Sequence, residues 1–330
     1  MYNLSKIAVN KIVLKKFIPA TLCCFSLFLT IKTTAQTNSA QKIEVAIPNS
    51  DKKIILVSIP EGSFIMGNSA SKNTNEKPAT NVHVSAFEMS TFEITHDQFN
   101  IFYRDDNTSQ GSKVDAVTRP TSQYIDLSWN MGKDGGYPVN SMSVDGAMMF
   151  CRWLYNKTGI FFRLPTEAEW EYACRAGSKT TYFFGNDPTQ LSQYAWFKSN
   201  SKLKYQKVGL KKPNAWGLYD MLGNVAEWTL DQYDPAYFAK LGENASDPLI
   251  APSSRYPRSV RGGSYMDDAQ KLSVTYRQFS EVTWNKRDPQ IPKSRWWLTD
   301  GAFAGFRIVK PSAQPSAEDA EKFYKLYLGN

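Results

Sequence analysis

Two long stretches, 186–224 and 231–264, are dense in Gly, Pro, Asn, Asp and Trp and show no sustained helical or strand periodicity. A chain that spends this much of its length without regular patterning folds largely through turns and irregular backbone. It is nevertheless globular: 42% of its 330 residues are hydrophobic and 14% aromatic, which excludes disordered and collagenous classes and supplies a core without covalent staples. No repeat with a period of 20 to 50 residues is present. Nothing marks a clean boundary between Ile54 and Lys310, so one large domain is expected over 54–310.

Regular elements are few but well signposted. Ile54-Ile55-Leu56-Val57, closed by Pro60-Glu61-Gly62, reads as a strand and turn, with Ser63 to Gly67 as the return strand. Capping boxes, in which a hydroxyl and a later Glu or Gln satisfy free amides, announce helices at Thr95 with Gln98 and at Thr166 with Glu169, the second stopped by Gly177. Ser143 caps a third helix, with Ala147, Phe150, Cys151 and Leu154 on one face and Gly159 as its end. Beyond Pro311, residues 311–330 read as a tail with a short helix opened by Ser316.

The formal net charge of +8 is misleading as a nucleic-acid signal. Met1 to Ala35 carries Lys6, Lys11, Lys15, Lys16 and Lys32 and no acid, and without it 34 basic residues face 31 acidic ones. That segment has a Lys-bearing start, an apolar run from Phe17 to Ile31 and small residues ending at Ala35, the pattern of a secretory signal, with an N-terminal anchor as the alternative. The run is short for a membrane span, and the residues before Cys23 and Cys24 make a poor lipobox. Export to the periplasm or outside is therefore expected, followed by a polar leader arm over 36–53, with no membrane span in the mature chain and no nucleic-acid partner. The mature chain keeps Cys151 and Cys174, enough for at most one internal disulfide, and both fall on apolar helix faces. Two histidines, His83 and His96, cannot form a three-His metal site.

Four strings set the functional expectation: Phe162 to Ala173 (FRLPTEAEWEYA), Gly217 to Trp228 (GLYDMLGNVAEW), Arg261-Gly262-Gly263-Ser264 and Ala304-Gly305-Phe306-Arg307. With Ile59 to Gly67, and in this order, they closely resemble the formylglycine-generating enzymes, the sulfatase-modifying factors, over nearly the whole mature chain. The resemblance implies an α+β fold of the C-type-lectin-like superfamily, a single domain with much irregular structure. In active members a cysteine pair after the Arg-Gly-Gly-Ser string binds copper and turns a sulfatase cysteine into formylglycine. Aligned without a gap, this chain has Asp267 at the first cysteine position and Leu272 at the second, and no cysteine follows Cys174. Soft Cu(I) needs sulfur, so copper is not expected and no catalytic residue is assigned. The resemblance also implies a calcium held by Asp220, Gly223, Val225 and Glu227, a donor set of hard oxygens that suits calcium, the alternative being a turn cap at Asp220 and an ion pair from Glu227 to an Arg such as Arg261. A second family calcium site expects Asn where Trp196 stands.

Most of the nine Trp are expected to fill the core. Trp284, Trp296 and Trp297, in a polar insertion between Ser264 and Gly305, are with Ser264 the candidates for a ligand cleft. A Ser-based triad at Ser264 lacks both a nearby His and the Gly-x-Ser-x-Gly elbow. The expectation is thus a divergent exported bacterial member that lacks copper oxidase activity and binds a peptide or glycan, auxiliary to sulfatases or to breakdown of sulfated polysaccharide. A divergent sulfatase-activating enzyme and a component of envelope secretion or gliding machinery are the alternatives.

Overall fold

In the computed structural model, residues 42–105, 123–242 and 244–329 are described, and they fall in one compact unit. The expected signal segment and the first part of the expected leader arm lie outside the described residues. In chain order the elements are β1 (Lys42–Ala46), β2 (Lys53–Ile59), β3 (Gly62–Met66), β4 (Thr80–Val84), β5 (Phe87–Ser90), α1 (His96–Tyr103), α2 (Val144–Thr158) and α3 (Glu167–Arg175). There follow β6 (Ala226–Gln232), α4 (Tyr237–Lys240), β7 (Ala245–Ser246), β8 (Arg258–Arg261), β9 (Arg277–Phe279), β10 (Ala304–Gly305), β11 (Val309–Pro311) and α5 (Ala317–Leu328). No helix among the described residues is long and apolar enough to cross a membrane.

The strands form three small sheets, ordered β1-β2-β5-β11, β10-β6-β8-β9 and β3-β4-β7. The first is antiparallel throughout, with β11 returning from the far end of the chain to pair with β5. Strand β1 corrects the expected leader arm: Lys42 to Ala46 pair with Val57 to Lys53, and Val45 and Ile47 are buried. Lys42 and Glu44 on the other face are exposed, which hides the strand from a reading based on mean polarity.

Two large apolar cores flank the sheets, beside a small third cluster of Tyr205, Val225 and Tyr265. One gathers β1, α1, α2, β6 and α5, and holds Phe99, Phe150, Cys151, Trp228 and Tyr324. The other lies between β2, β4 and α3 and the loops after α3, and holds Trp170, Cys174, Leu218 and Leu272. The expected caps form: Thr95 and Thr166 each make a complete capping box, and Gly159 ends α2 in the left-handed region. At the end of α3 the left-handed cap is Ala176, one residue before the expected Gly177. Helix α5 is docked, its Tyr324 hydroxyl donating to the Phe162 carbonyl at 2.7 Å.

Candidate functional site

All nine residues of α3 are buried, including Glu167, Glu171 and Arg175 at successive i, i+4 steps. Burying such charges is tolerable only with paired and hydrogen-bonded partners. These come from distant strands. Arg261 on β8, fully buried, donates to Glu167 at 3.1 Å, to Glu171 at 2.7 Å and to the Val274 carbonyl at 2.8 Å. Arg277 on β9 grips both oxygens of Glu167. Burial alone would raise the Glu167 carboxyl; Arg277, followed by Arg261, outweighs it and holds the group below the ordinary carboxylate range. From α3 the network continues through Trp170, whose indole N–H donates to Glu227 at 2.7 Å, and through Arg307, which pairs with both Glu227 oxygens at 2.6 and 2.7 Å. The four strings that carry the family resemblance therefore meet in one buried chain of charges. Their first role is to hold the fold.

The Arg-Gly-Gly-Ser turn shows how the residues at the expected cysteine positions are held. Gly263 has φ +67°, and a Cβ there would lie 2.7 Å from the Lys271 carbonyl and 3.1 Å from Leu272, so only glycine fits. Leu272 is fully buried in the second core. Asp267 accepts from the Ser264 amide at 2.9 Å and hydroxyl at 2.7 Å, and pairs with Lys271 at 3.0 Å. Side chains committed in this way, one of them an alkyl group, do not fit copper. The only sulfurs of cysteine among the described residues are Cys151 and Cys174, which are free and buried, with burial pushing both thiols far above their ordinary range.

In the 220–227 loop, Asp220 and Asn224 both take left-handed backbone at φ +54° and +55°. Gly223 is pressed so closely on Trp196 that a Cβ would fall 2.2 Å from its carbonyl oxygen. One Asp220 oxygen accepts from the Gly209 amide at 2.7 Å; the other, Oδ1, is buried with no hydrogen-bond partner among the described residues. Burial pushes the Asp220 carboxyl up to about 6. Glu93, absent from the sequence reading, stands beside it and accepts from the Asn224 amide group at 2.6 Å and the Val225 N–H at 2.9 Å. Burial first, then Asp220 and Glu227, push Glu93 well above the usual range. Three buried carboxyls thus surround one guanidinium, Arg307, and one of their oxygens is unspent. Such a site fits a cation at Asp220 better than at Glu227, whose oxygens are already held by Arg307 and Trp170. No three His, Cys, Asp or Glu side chains gather as a metal-holding group among the described residues, so an ion here would lean on main-chain oxygens.

Three of the four proposed cleft residues, Ser264, Trp284 and Trp296, are buried. Ser264 is buried and spent on Asp267, and Trp296 is buried. Trp284 is buried against Trp228 and Phe303, with ring centroids 5.7 and 4.7 Å apart, and Trp297 lies edge-on to Phe99. Trp284 belongs to the first core and Trp297 packs against it, so these indoles supply buried apolar area rather than an open face. His96 is also structural: its Nε2 meets the Asn140 carboxamide at 3.0 Å, and burial pushes the ring down to about 4.

A family model described as the sulfatase-modifying factor enzyme 1-like domain matches residues 45–310. The chain belongs to this family. Among its relatives, the formylglycine-generating enzyme of Bos taurus is 28% identical over 255 residues, which covers 64% of this chain and 66% of that protein. The chain thus spans slightly under two thirds of that relative's length. A second Bos taurus relative, named inactive C-alpha-formylglycine-generating enzyme 2, is 29% identical over 222 residues, covering 55% of this chain and 72% of its own. Identity therefore does not separate active from inactive members. The solved structure of PvdO from Pseudomonas aeruginosa superposes with a TM-score of 0.62 at 21% identity, covering 82% of this chain and all of that one, which confirms the expected α+β fold.

Proposed function

We propose that this chain is an exported sulfatase-modifying-factor-like protein that carries out no copper oxidation and instead binds a peptide or glycan, auxiliary to sulfatases or to degradation of sulfated polysaccharide. The observation that carries the reading is the state of Asp267 and Leu272: one is hydrogen-bonded into its own turn and the other is buried as an alkyl core residue. Neither residue type replaces a thiolate, and the chain holds no cysteine after Cys174. Export is supported by the sequence of residues 1–35 alone.

We further propose that Asp220, with carbonyls of Gly223 and Val225 and with Glu227 at the far end, holds calcium. Its support is the unpartnered buried oxygen of Asp220 and the surplus of buried negative charge around it. The ion would neutralise the loop and fix its left-handed turns; it has no role in a reaction step.

Purified protein incubated with copper, oxygen and a cysteine-containing sulfatase peptide is expected to form no formylglycine by mass spectrometry. The mass change of that conversion, above a metal-free control, would establish the divergent sulfatase-activating enzyme instead.

A further inference from the structure

A cleft of about 680 Å³ opens between β3 and the loop that follows α3, with Thr275 at its edge, and shares none of the Trp or Ser residues singled out as cleft candidates. Its size is that of a site for a small ligand. One wall is aromatic: Tyr172 lies 5.2 Å from Phe64 and 4.9 Å from Trp216 between ring centroids, and both neighbours are only half-buried. Flat, partly wet rings of this kind stack on the apolar face of a sugar ring.

The polar lining is one-sided. No Asp or Glu contributes to it, whereas Arg175 and Lys179 both do. The carboxamide oxygens of Asn68 and Asn186 are already used, accepting from the Ala70 and Thr181 amides at 3.0 and 2.9 Å. Their NH₂ groups have no protein partner among the described residues, nor has the Lys179 ammonium. Arg175 commits Nε and Nη2 to Glu171 and the Gly67 carbonyl and keeps Nη1 uncommitted. A wall that offers donors and cations, carries no carboxylate and has its carboxamide oxygens spent selects a ligand rich in acceptors and negatively charged.

We infer that this cleft binds an acidic saccharide, with a sugar ring against Trp216 and Tyr172 and its carboxylate or sulfate on Arg175 and Lys179. The inference rests on the glycan-binding reading proposed above and gives it a place and a charge. Titration calorimetry of the full chain would compare an oligogalacturonate, a sulfated galactan oligosaccharide, neutral cellotriose and inorganic sulfate. At least one acidic oligosaccharide is expected to bind tenfold or more tightly than cellotriose and sulfate, and to weaken as salt rises; whichever arm binds identifies the anion. Trp216→Ala and the exposed Lys179→Glu should each reduce that affinity tenfold or more, and Lys179→Glu should do so with an unchanged melting temperature. Equal binding of cellotriose, binding that neither variant alters, binding of sulfate alone with equal affinity, or no binding in any arm overturns the inference. Acidic-sugar binding that survives both variants displaces the site but leaves the glycan reading standing, and formylglycine formation, read separately by mass spectrometry, ends that reading.

Discussion

Asp220 has one carboxyl oxygen bonded and the other buried and, among the described residues, without a partner, a state that costs on the order of 1–3 kcal/mol for an unsatisfied polar group and more for a charge. Its pH behaviour follows from the sign of its shift. Because burial raises it from 3.8 to about 6, the folded protein holds this proton more tightly than the unfolded one. In EDTA, this group's contribution should therefore fall as pH rises from about 4 to about 6 and stay low above. Calcium should cancel that loss, and a hundredfold excess over the dissociation constant is worth about 2.7 kcal/mol. Thermal melts with and without EDTA, in wild type and Asp220→Ala, check this: the variant should lose the calcium response at pH 7, and an identical response in both would leave the loop as a turn alone. The family resemblance pointed to Asp220 and Glu227 because both lie in the Gly217 to Trp228 string that carries it. Glu93 escaped notice because its contacts, to Asn224 and Val225, reach across more than half the domain.

Helix α3 separates what local chemistry reveals from what it conceals. Its capping box is legible, since the Thr166 hydroxyl and Glu169 act within a single turn. Thr166→Ala should cost about 1 kcal/mol in urea or thermal unfolding. The Glu167, Glu171 and Arg175 stripe, read alone, is an ordinary solvated face; it is buried because β8 and β9 bring Arg261 and Arg277 onto it. Glu167→Gln leaves two buried guanidinium groups short of charge, and should cost on the order of 3–5 kcal/mol, several times the loss of the cap. Comparable losses for the two variants would mean that water reaches the pair. Strand β1 shows the opposite limit: five residues paired to β2 were concealed by the polar side chains on their outer face.

At the scale of the molecule, the loop-rich stretches did specify the kind of fold, and the indoles of the 284–297 insertion were legible as aromatic mass but not as to which way they turn. That direction depends on which surface the insertion closes over, a long-range property absent from any local pattern. The two cores have a further consequence. Each contains one cysteine, Cys151 in the first and Cys174 in the second, both fully enclosed and unpaired. The molecule therefore carries two native reporters of breathing motions, silent toward an alkylating reagent until their own core opens. Single Cys→Ser variants would let each be timed alone. Because the Trp170 to Glu227 hydrogen bond and the Arg307 pair tie one core to the other, both thiols are expected to react at one common rate that follows global unfolding. Unequal rates would reveal two halves that unzip independently.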